Sequence, residues 1–408
     1  MTSDSPSPQR FVALDVHKHY LVVAAVDARQ TVVLQPTRIG LAGIATWMTR
    51  HLRRSDAVVL EAGPNTWHIY DQLQPHVASV TVANPQQVKM IAAARVKTNA
   101  RDALALAKLL AADFVPTVWV PPAEGRALRA LVAHRTRLIR QRTQARNRLH
   151  SILHSHALVP PPGDPFAPEA RPWWQSLTLP PVQRLCVLQD LALLDSLSPL
   201  IKEADAAILE QSMQAPWREQ VPYLLQVRGV GVLTAMILLA AIGTITRFPS
   251  ARHVVSYAGL ATSVYDSGQT HRTGRITKQG RREMRAALVE AAWIAVRYDP
   301  YWKAQFERLC KRMPEGKAIV AIARKMLVVI WHLLTKQVAD RRADGEAVAR
   351  KFFQWAAALG SVGRENLSLA AFTRRELDRL GLAQDLTSVQ AAGRRVGLPP
   401  LRALIPPS

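Results

Sequence analysis

Three carboxylates in this chain sit where they could support chemistry on a phosphate. Asp15 interrupts the apolar run FVALDVHKHYLVVAAV, residues 11–26. An apolar run split by a short polar step reads as two buried strands of a hairpin. A carboxylate in such a strand is costly unless it is paired or holds a cation, although Asp15 could equally cap the turn at His17. Glu61 ends AVVLE, a further strand, and is followed by the turn residues Gly63, Pro64 and Asn65. Asp102 opens the helix from Ala103 to Leu110 in VKTNARDALALAKLL. Asn99, three residues earlier, shares the face of its first turn. An acid is favourable at a helix N-terminus for structural reasons alone. The three carboxylates nevertheless fall on strand one, a later strand and a following helix. That oxygen set suits Mg²⁺ or Mn²⁺, ions that can stabilise the attacking and leaving oxygens of a phosphodiester.

A fourth candidate is Ser267, next to Gly268 in a polar turn that leads into His271, Arg272, Arg275, Lys278, Arg281, Arg282 and Arg285. A serine beside glycine is reachable, and the cations could hold a phosphate and stabilise transition-state charge. There is no GxSxG elbow, so a hydrolase triad is not indicated. In LLQVRGVGVLTA, Gly229 and Gly231 could let backbone N–H groups approach a phosphate at a helix start. A glycine-rich turn between two packed helices explains them equally well.

The elements that must position these residues divide the chain. Residues 1–9 read as a disordered leader. Residues 10–120 read as a metal-binding domain, with strands at about 11–16, 20–26, 31–35, 57–61 and 77–84 and helices at 41–54 and 66–75, a pattern of helices on the faces of a mixed sheet. Residues 121–215 form a basic helical or coiled-coil segment. Its first helix carries Arg126, Arg129, Arg135, Arg137, Arg140, Arg142, Arg146 and Arg148, with no acid after Glu124. An unneutralised arginine face should repel itself without an anion, which favours phosphate binding. Prolines at 160–165 and Pro172 then break the chain. The next helix, 182–211, bears Asp190, Asp195, Glu203, Asp205 and Glu210, and could pair with the arginine helix or with a second copy of itself. Residues 216–338 hold the glycine turn and Ser267. Residues 339–408 read as an extension of short helices without assigned chemistry.

The formal net charge of +23 over 408 residues, with a pI near 10.9, points to a polyanion, most simply nucleic acid. An anionic membrane is disfavoured, because no apolar run approaches spanning length. The first ten residues have no apolar signal core, so a cytoplasmic, nucleoid-associated location is expected. Cys186 and Cys310 lie far apart, outside any metal-ligand pattern, and fit a reducing compartment.

Taken together, FVALDVHK, VVLEAGPN, VANPQQVK, VKTNARDALALAKLL, the arginine helix, LLQVRGVGVLTA, SYAGLATSVYDSG and GRITKQGRREMRAAL resemble, in this order, the DEDD-type insertion-sequence transposases. These are the bridge-RNA-guided recombinases. The resemblance spans Phe11 to about Lys336. It implies an α/β RuvC-like (RNase H-like) N-terminal domain, then a coiled-coil segment and a mostly α-helical transposase domain. It implies a metal set at Asp15, Glu61 and Asp102 and a nucleophile at Ser267. The implied partners are donor and target DNA, a structured guide RNA and further copies of the chain, as a homodimer or homotetramer joining the two domains across subunits. The family has Asp where this chain has Asn99, which offers a metal a carbonyl oxygen but no charge. A junction-resolving nuclease using water, or a catalytically impaired nucleic-acid-binding protein, are the alternatives.

Overall fold

The computed structural model describes residues 10–91, 98–268, 270–391 and 393–400. The expected leader, residues 1–9, lies outside them. The chain separates into two compact units, up to Pro121 and from Pro122 onward.

The first unit is a mixed sheet with helices on both faces. Its strands are β1 (Arg10–Val16), β2 (Tyr20–Asp27), β3 (Val32–Gly40), β4 (Asp56–Glu61) and β5 (Ser79–Ala83), in the order β3-β2-β1-β4-β5. β1, β2 and β3 pair antiparallel, while β4 runs parallel to β1 and β5 parallel to β4. The helices are α1 (Ile44–His51), α2 (Thr66–Leu73), α3 (Pro85–Ile91) and α4 (Asn99–Ala111). Side chains alternate along a strand, and both faces here are apolar, which explains the unbroken hydrophobic runs. Val12, Leu14, Val58 and Leu60 pack against Ile44 and Met48 of α1 and Ile69 and Leu73 of α2. Ala13 and Val59 face the other way, onto Leu106 and Ala107 of α4. At the start of β4, fully buried Asp56 is held by Arg10, with Nε–Oδ1 at 2.9 Å, and by the backbone N–H of Arg53 at 2.8 Å.

The second unit opens with two long helices, α5 (Ala123–Ser155) and α7 (Pro181–Gln211), joined through the short α6 (Arg171–Ser176). They run antiparallel. Leu128 and Val132 share a core with Ile208, Leu138 packs with Leu197 and Ile201, and Leu149 and Leu153 meet Val187 and Leu191. Pro172 does not extend the break expected there. It occupies the first turn of α6, where a missing N–H costs nothing.

The remaining helices are α8 (Trp217–Leu225), α9 (Val232–Ile242), α10 (Ala251–Tyr257), α11 (Arg282–Tyr298), α12 (Pro300–Cys310), α13 (Glu315–Lys336), α14 (Gly345–Gly363) and α15 (Leu369–Leu380). Contrary to the expectation that no segment is long enough to span a bilayer, α13 has the length and hydropathy to do so. Its apolar side chains, among them Ile322, Met326, Leu327 and Ile330, are instead fully buried in the core of this unit. The C-terminal extension shares that core through Phe352, Trp355 and Phe372. Trp355 also donates from Nε1 to Ser212 Oγ at 2.8 Å.

Two hairpins complete the unit: β6 (Thr262–Ser267) with β7 (Thr270–Ile276), and β8 (Ser388–Ala391) with β9 (Arg394–Gly397). The second corrects the reading of LTSVQAAGRRVGL as a helix. Val389 and Val396 are cross-strand partners on the inner face, and period-two alternation over so short a segment outweighs the helix propensity of its alanines.

Candidate active site and nucleic-acid interface

The sheet brings the predicted carboxylates to one edge and one face. The β1–β4 register aligns Leu14 with Leu60, so Asp15 and Glu61 come next, side by side, at the carboxyl ends of parallel strands. By alternation both point to the side of Ala13 and Val59, where α4 packs. That helix begins at Asn99 because Thr98 caps it, its side chain accepting from the Arg101 N–H at 3.3 Å. The cap sets Asn99 and Asp102 in the first turn, while Ala103 packs on Val22, the cross-strand partner of Asp15. Asp15, Glu61 and Asp102 are all half-buried.

A chain of contacts ties Asp15 to Asn99. His17 Nε2 lies 3.0 Å from Asp15 Oδ2, the His17 ring lies 4.6 Å from that of Tyr20, and Asn99 Nδ2 donates to the Tyr20 hydroxyl at 3.0 Å. An aspartate at position 99 could not make that donation. The donor chemistry, carboxylate oxygens at a strand edge, fits a hard divalent ion. Among the described residues, however, no three His, Cys, Asp or Glu side chains already stand close enough to form a cage. The sequence offered Asp15 as a cap for the turn at His17; the structure pairs its carboxylate with the His17 ring.

Ser267 ends β6, whose six residues are all exposed. Gly268 follows with φ of +54°, turning the chain into β7. One rung below the Ser267–Thr270 pair, Asp266 and His271 face each other and their side chains hydrogen-bond. Arg272, Arg275 and Arg282 are exposed around this hairpin, as are Lys278 and Arg281.

At its root lies a cluster that the sequence did not reveal. The hydroxyl of Tyr257 accepts from Arg281 Nε at 3.4 Å, and the Arg247 guanidinium carbon lies 4.3 Å from the centre of the Tyr257 ring. Burial raises the Tyr257 pKa, but Arg129, Arg281 and Arg247 outweigh it and the net shift is downward. Burial lowers Arg129 to about 10.

The arginine helix is less free than its sequence suggests. Arg129 donates from Nε and Nη2 to the carbonyls of Ala240 and Ala241, at 2.6 and 2.9 Å, capping the end of α9. Arg135 pairs with Asp205 and Arg148 with Asp190, both on α7, and Arg146 lies 3.4 Å from Asp164. The expectation of an uncompensated charge face is therefore corrected at Arg135, Arg146 and Arg148, which have carboxylate partners, while Arg129 is held by backbone carbonyls. Their partners lie 18 to 112 residues away in sequence, out of reach of a local charge count. Arg137 and Arg140 are exposed, Arg126 and Arg142 half-buried.

The glycine turn serves packing. Gly229 has φ of +84°, and a Cβ there would lie 2.1 Å from the carbonyl oxygen of Ala291 in α11. The close approach of α11, rather than a phosphate, accounts for this glycine. Gly231 has open space around it and forms the N-terminal cap residue of α9.

Known proteins match this chain in two stretches. A DEDD transposase model of the IS110 type matches residues 12–157, and the Transposase IS116/IS110/IS902 family model matches 221–307. A putative transposase, y4qE, of Sinorhizobium fredii is 28% identical over 301 residues, covering 73% of this chain and 74% of its own length. The transposase for insertion sequence element IS1111A of Coxiella burnetii is 25% identical over 74% of this chain and 88% of its own length. The pilin gene-inverting protein of Moraxella bovis is 25% identical over 79% and 95%. These matches support transposase activity for this chain, with similarity to the DEDD type in its first part and to the IS116/IS110/IS902 type in its second.

Proposed function

We propose that this transposase is an RNA-guided DNA recombinase that breaks and rejoins strands through a covalent link to Ser267. The observation that carries the reading is the alignment of Asp15 with Glu61 at the carboxyl edge of the sheet, on the face covered by the first turn of α4. The strand order, three antiparallel strands followed by two parallel ones, supports an RNase H-like, RuvC-like assignment for this unit. An ion held by Asp15, Glu61 and Asp102, most simply Mg²⁺ or Mn²⁺, would supply charge neutralisation for the phosphate under attack. Asn99 lends such a site no charge, so fewer carboxylates bear the work than the family pattern provides.

Ser267 Oγ attacks the phosphorus, one P–O ester bond breaks, and the phosphodiester is carried as a serine ester. The Ser267 hydroxyl loses its proton and the departing sugar oxygen takes one up, so protons balance, and the reverse attack by a strand hydroxyl restores DNA without external energy. The arginines exposed around the hairpin balance the charge that builds on the phosphate oxygens. Guide RNA and the sharing of the site between copies of the chain rest on the family resemblance. The exposed Arg137 and Arg140 are the part of α5 best placed to meet RNA backbone.

A strand-cleavage assay on transposon-end DNA tests the carboxylate role. Asp15→Asn should abolish cleavage and leave nucleic-acid binding nearly intact, and chelation by EDTA should do the same until Mg²⁺ is restored. Cleavage that persists in EDTA would sink the metal role. Cleavage that needs metal but survives Ser267→Ala would favour water as the nucleophile.

A further inference from the structure

The cluster at the root of the β6–β7 hairpin has a chemical peculiarity. The polar groups that face the Tyr257 hydroxyl are guanidiniums: Arg281 in direct hydrogen bond, with Arg129 and Arg247 behind it. A guanidinium offers donors and no acceptor. The phenol oxygen receives from Arg281, and among the described residues its own O–H has no acceptor. An acceptor must come from outside, and three cations select an anionic one.

The cluster is built rather than incidental. Arg129 is fixed by the Ala240 and Ala241 carbonyls, and Arg247 donates from Nε to the Ile242 carbonyl at 2.9 Å. Arg247 also lies 4.1 Å from the Phe248 ring centre. Gly280 brings the chain back against Tyr257 so closely that a Cβ would stand 2.1 Å from the Tyr257 carbonyl oxygen, which sets Arg281 beside the phenol. Arg281 is exposed and Tyr257 half-buried, so the pair opens to the surface.

We propose that Tyr257 and Arg281, backed by Arg247 and Arg129, form a subsite for one backbone phosphate of the nucleic acid, at a distance from the phosphate that Ser267 attacks. The Tyr257 O–H donates to one phosphate oxygen and Arg281 to another. β6 rises from Thr262 at the root to Ser267 at the tip, about 17 Å at ~3.4 Å per residue. The subsite would fix the register of the strand on the hairpin. It deepens the proposed nucleic-acid role, but it does not depend on Ser267 being the nucleophile.

The test is equilibrium binding by the full-length chain carrying Ser267→Ala, so that no chemistry intervenes. The probes are a labelled 20-base-pair DNA duplex and a single-stranded RNA of equal length, each titrated at several salt concentrations. Arg281→Gln should lower the slope of log affinity against log salt by about one. Tyr257→Phe keeps the ring against Phe248 and Arg247 and removes only the hydroxyl, and should weaken binding about tenfold, as expected for a hydrogen bond to a charged group. Loss confined to the duplex assigns the subsite to DNA, and loss confined to the RNA assigns it to the guide. Unchanged affinity and slope for both probes in folded Tyr257→Phe and Arg281→Gln protein overturn the subsite. Failure of the parent chain to bind either probe would instead refute the broader nucleic-acid reading. Should Arg281→Gln unfold the chain, Tyr257→Phe decides alone.

Discussion

The two arginine-rich regions of the second unit look alike in sequence and differ in what they face. On α5, Arg135 and Arg148 are answered by Asp205 and Asp190 of α7, and Arg129 is spent on the end of α9. Around the β6–β7 hairpin, Arg272, Arg275 and Arg282 stand exposed, and Arg281 leans on a phenol rather than a carboxylate. A run of positive charge therefore does not by itself mark a nucleic-acid surface. An antiparallel partner helix decides which arginines are structural, and that partner lies 42 to 70 residues away.

The contrast can be broken most forcefully at the hairpin. Replacing Arg272, Arg275 and Arg282 together by glutamine should weaken DNA binding by orders of magnitude at low salt and lower the salt slope by about three, one per lost phosphate contact. The unfolding midpoint should hardly move, since exposed side chains change stability by only about 0.5 kcal/mol. A large stability loss with an intact salt slope would show that these arginines, too, are structural.

Within α5 the same test sharpens the comparison. Charge reversal at the exposed Arg137 and Arg140 should weaken binding to RNA and flatten its salt dependence by about two. Arg135→Gln should leave that slope alone and lower stability. If Arg135 behaves like Arg137, the Asp205 pair does not withdraw it from the nucleic-acid surface.

A smaller effect is expected from the acidic side. Asp190→Ala removes the partner of Arg148, which is itself half-exposed. The cost should be about 0.5–1 kcal/mol in thermal unfolding, because solvent screens the pair. DNA affinity should not fall. A drop in affinity would mean that Asp190 orders the binding surface rather than merely neutralising it.

A last effect concerns the pH profile. Burial lowers Lys351 to about 7, where its Nζ donates to the carbonyls of Leu225 and Val227 at 2.8 and 2.7 Å. Its usual value is 10.5. Between the two, the unfolded chain binds more protons than the folded one, so this group makes stability rise with pH from about 7 to 10.5. Lys351→Met should flatten that rise in denaturant unfolding. An unchanged profile would show that Lys351 stays charged when folded.

The sheet was legible where both of its faces are apolar, whereas β3, expected at 31–35, runs half-exposed to Gly40. The Val-rich runs around Asp15 and before Glu61 can be satisfied only by buried strands, and their boundaries fell within a residue or two of those observed. The α4 start was misplaced: Asp102 was read as opening a helix at Ala103, whereas Thr98 caps one that begins at Asn99. The hairpin that carries Ser267 was not legible, because its strands are exposed and polar and lack the alternation that a buried face imposes. Nor was the Tyr257 cluster, which gathers residues 129, 247, 257 and 281 from four separate segments. The role of Gly229 was open in sequence and was settled by the backbone of α11.

The proposed covalent attack by Ser267 is the centre of the account, and trapping the protein–DNA adduct measures it most directly. The full-length chain, incubated with guide RNA, Mg²⁺ and radiolabelled transposon-end DNA, should yield a denaturation-resistant protein–DNA species whose peptide map places the nucleotide on Ser267. Ser267→Ala should lose that species and strand exchange together while still binding RNA and DNA. An adduct that persists in Ser267→Ala, or one mapped to another side chain, would contradict the assignment.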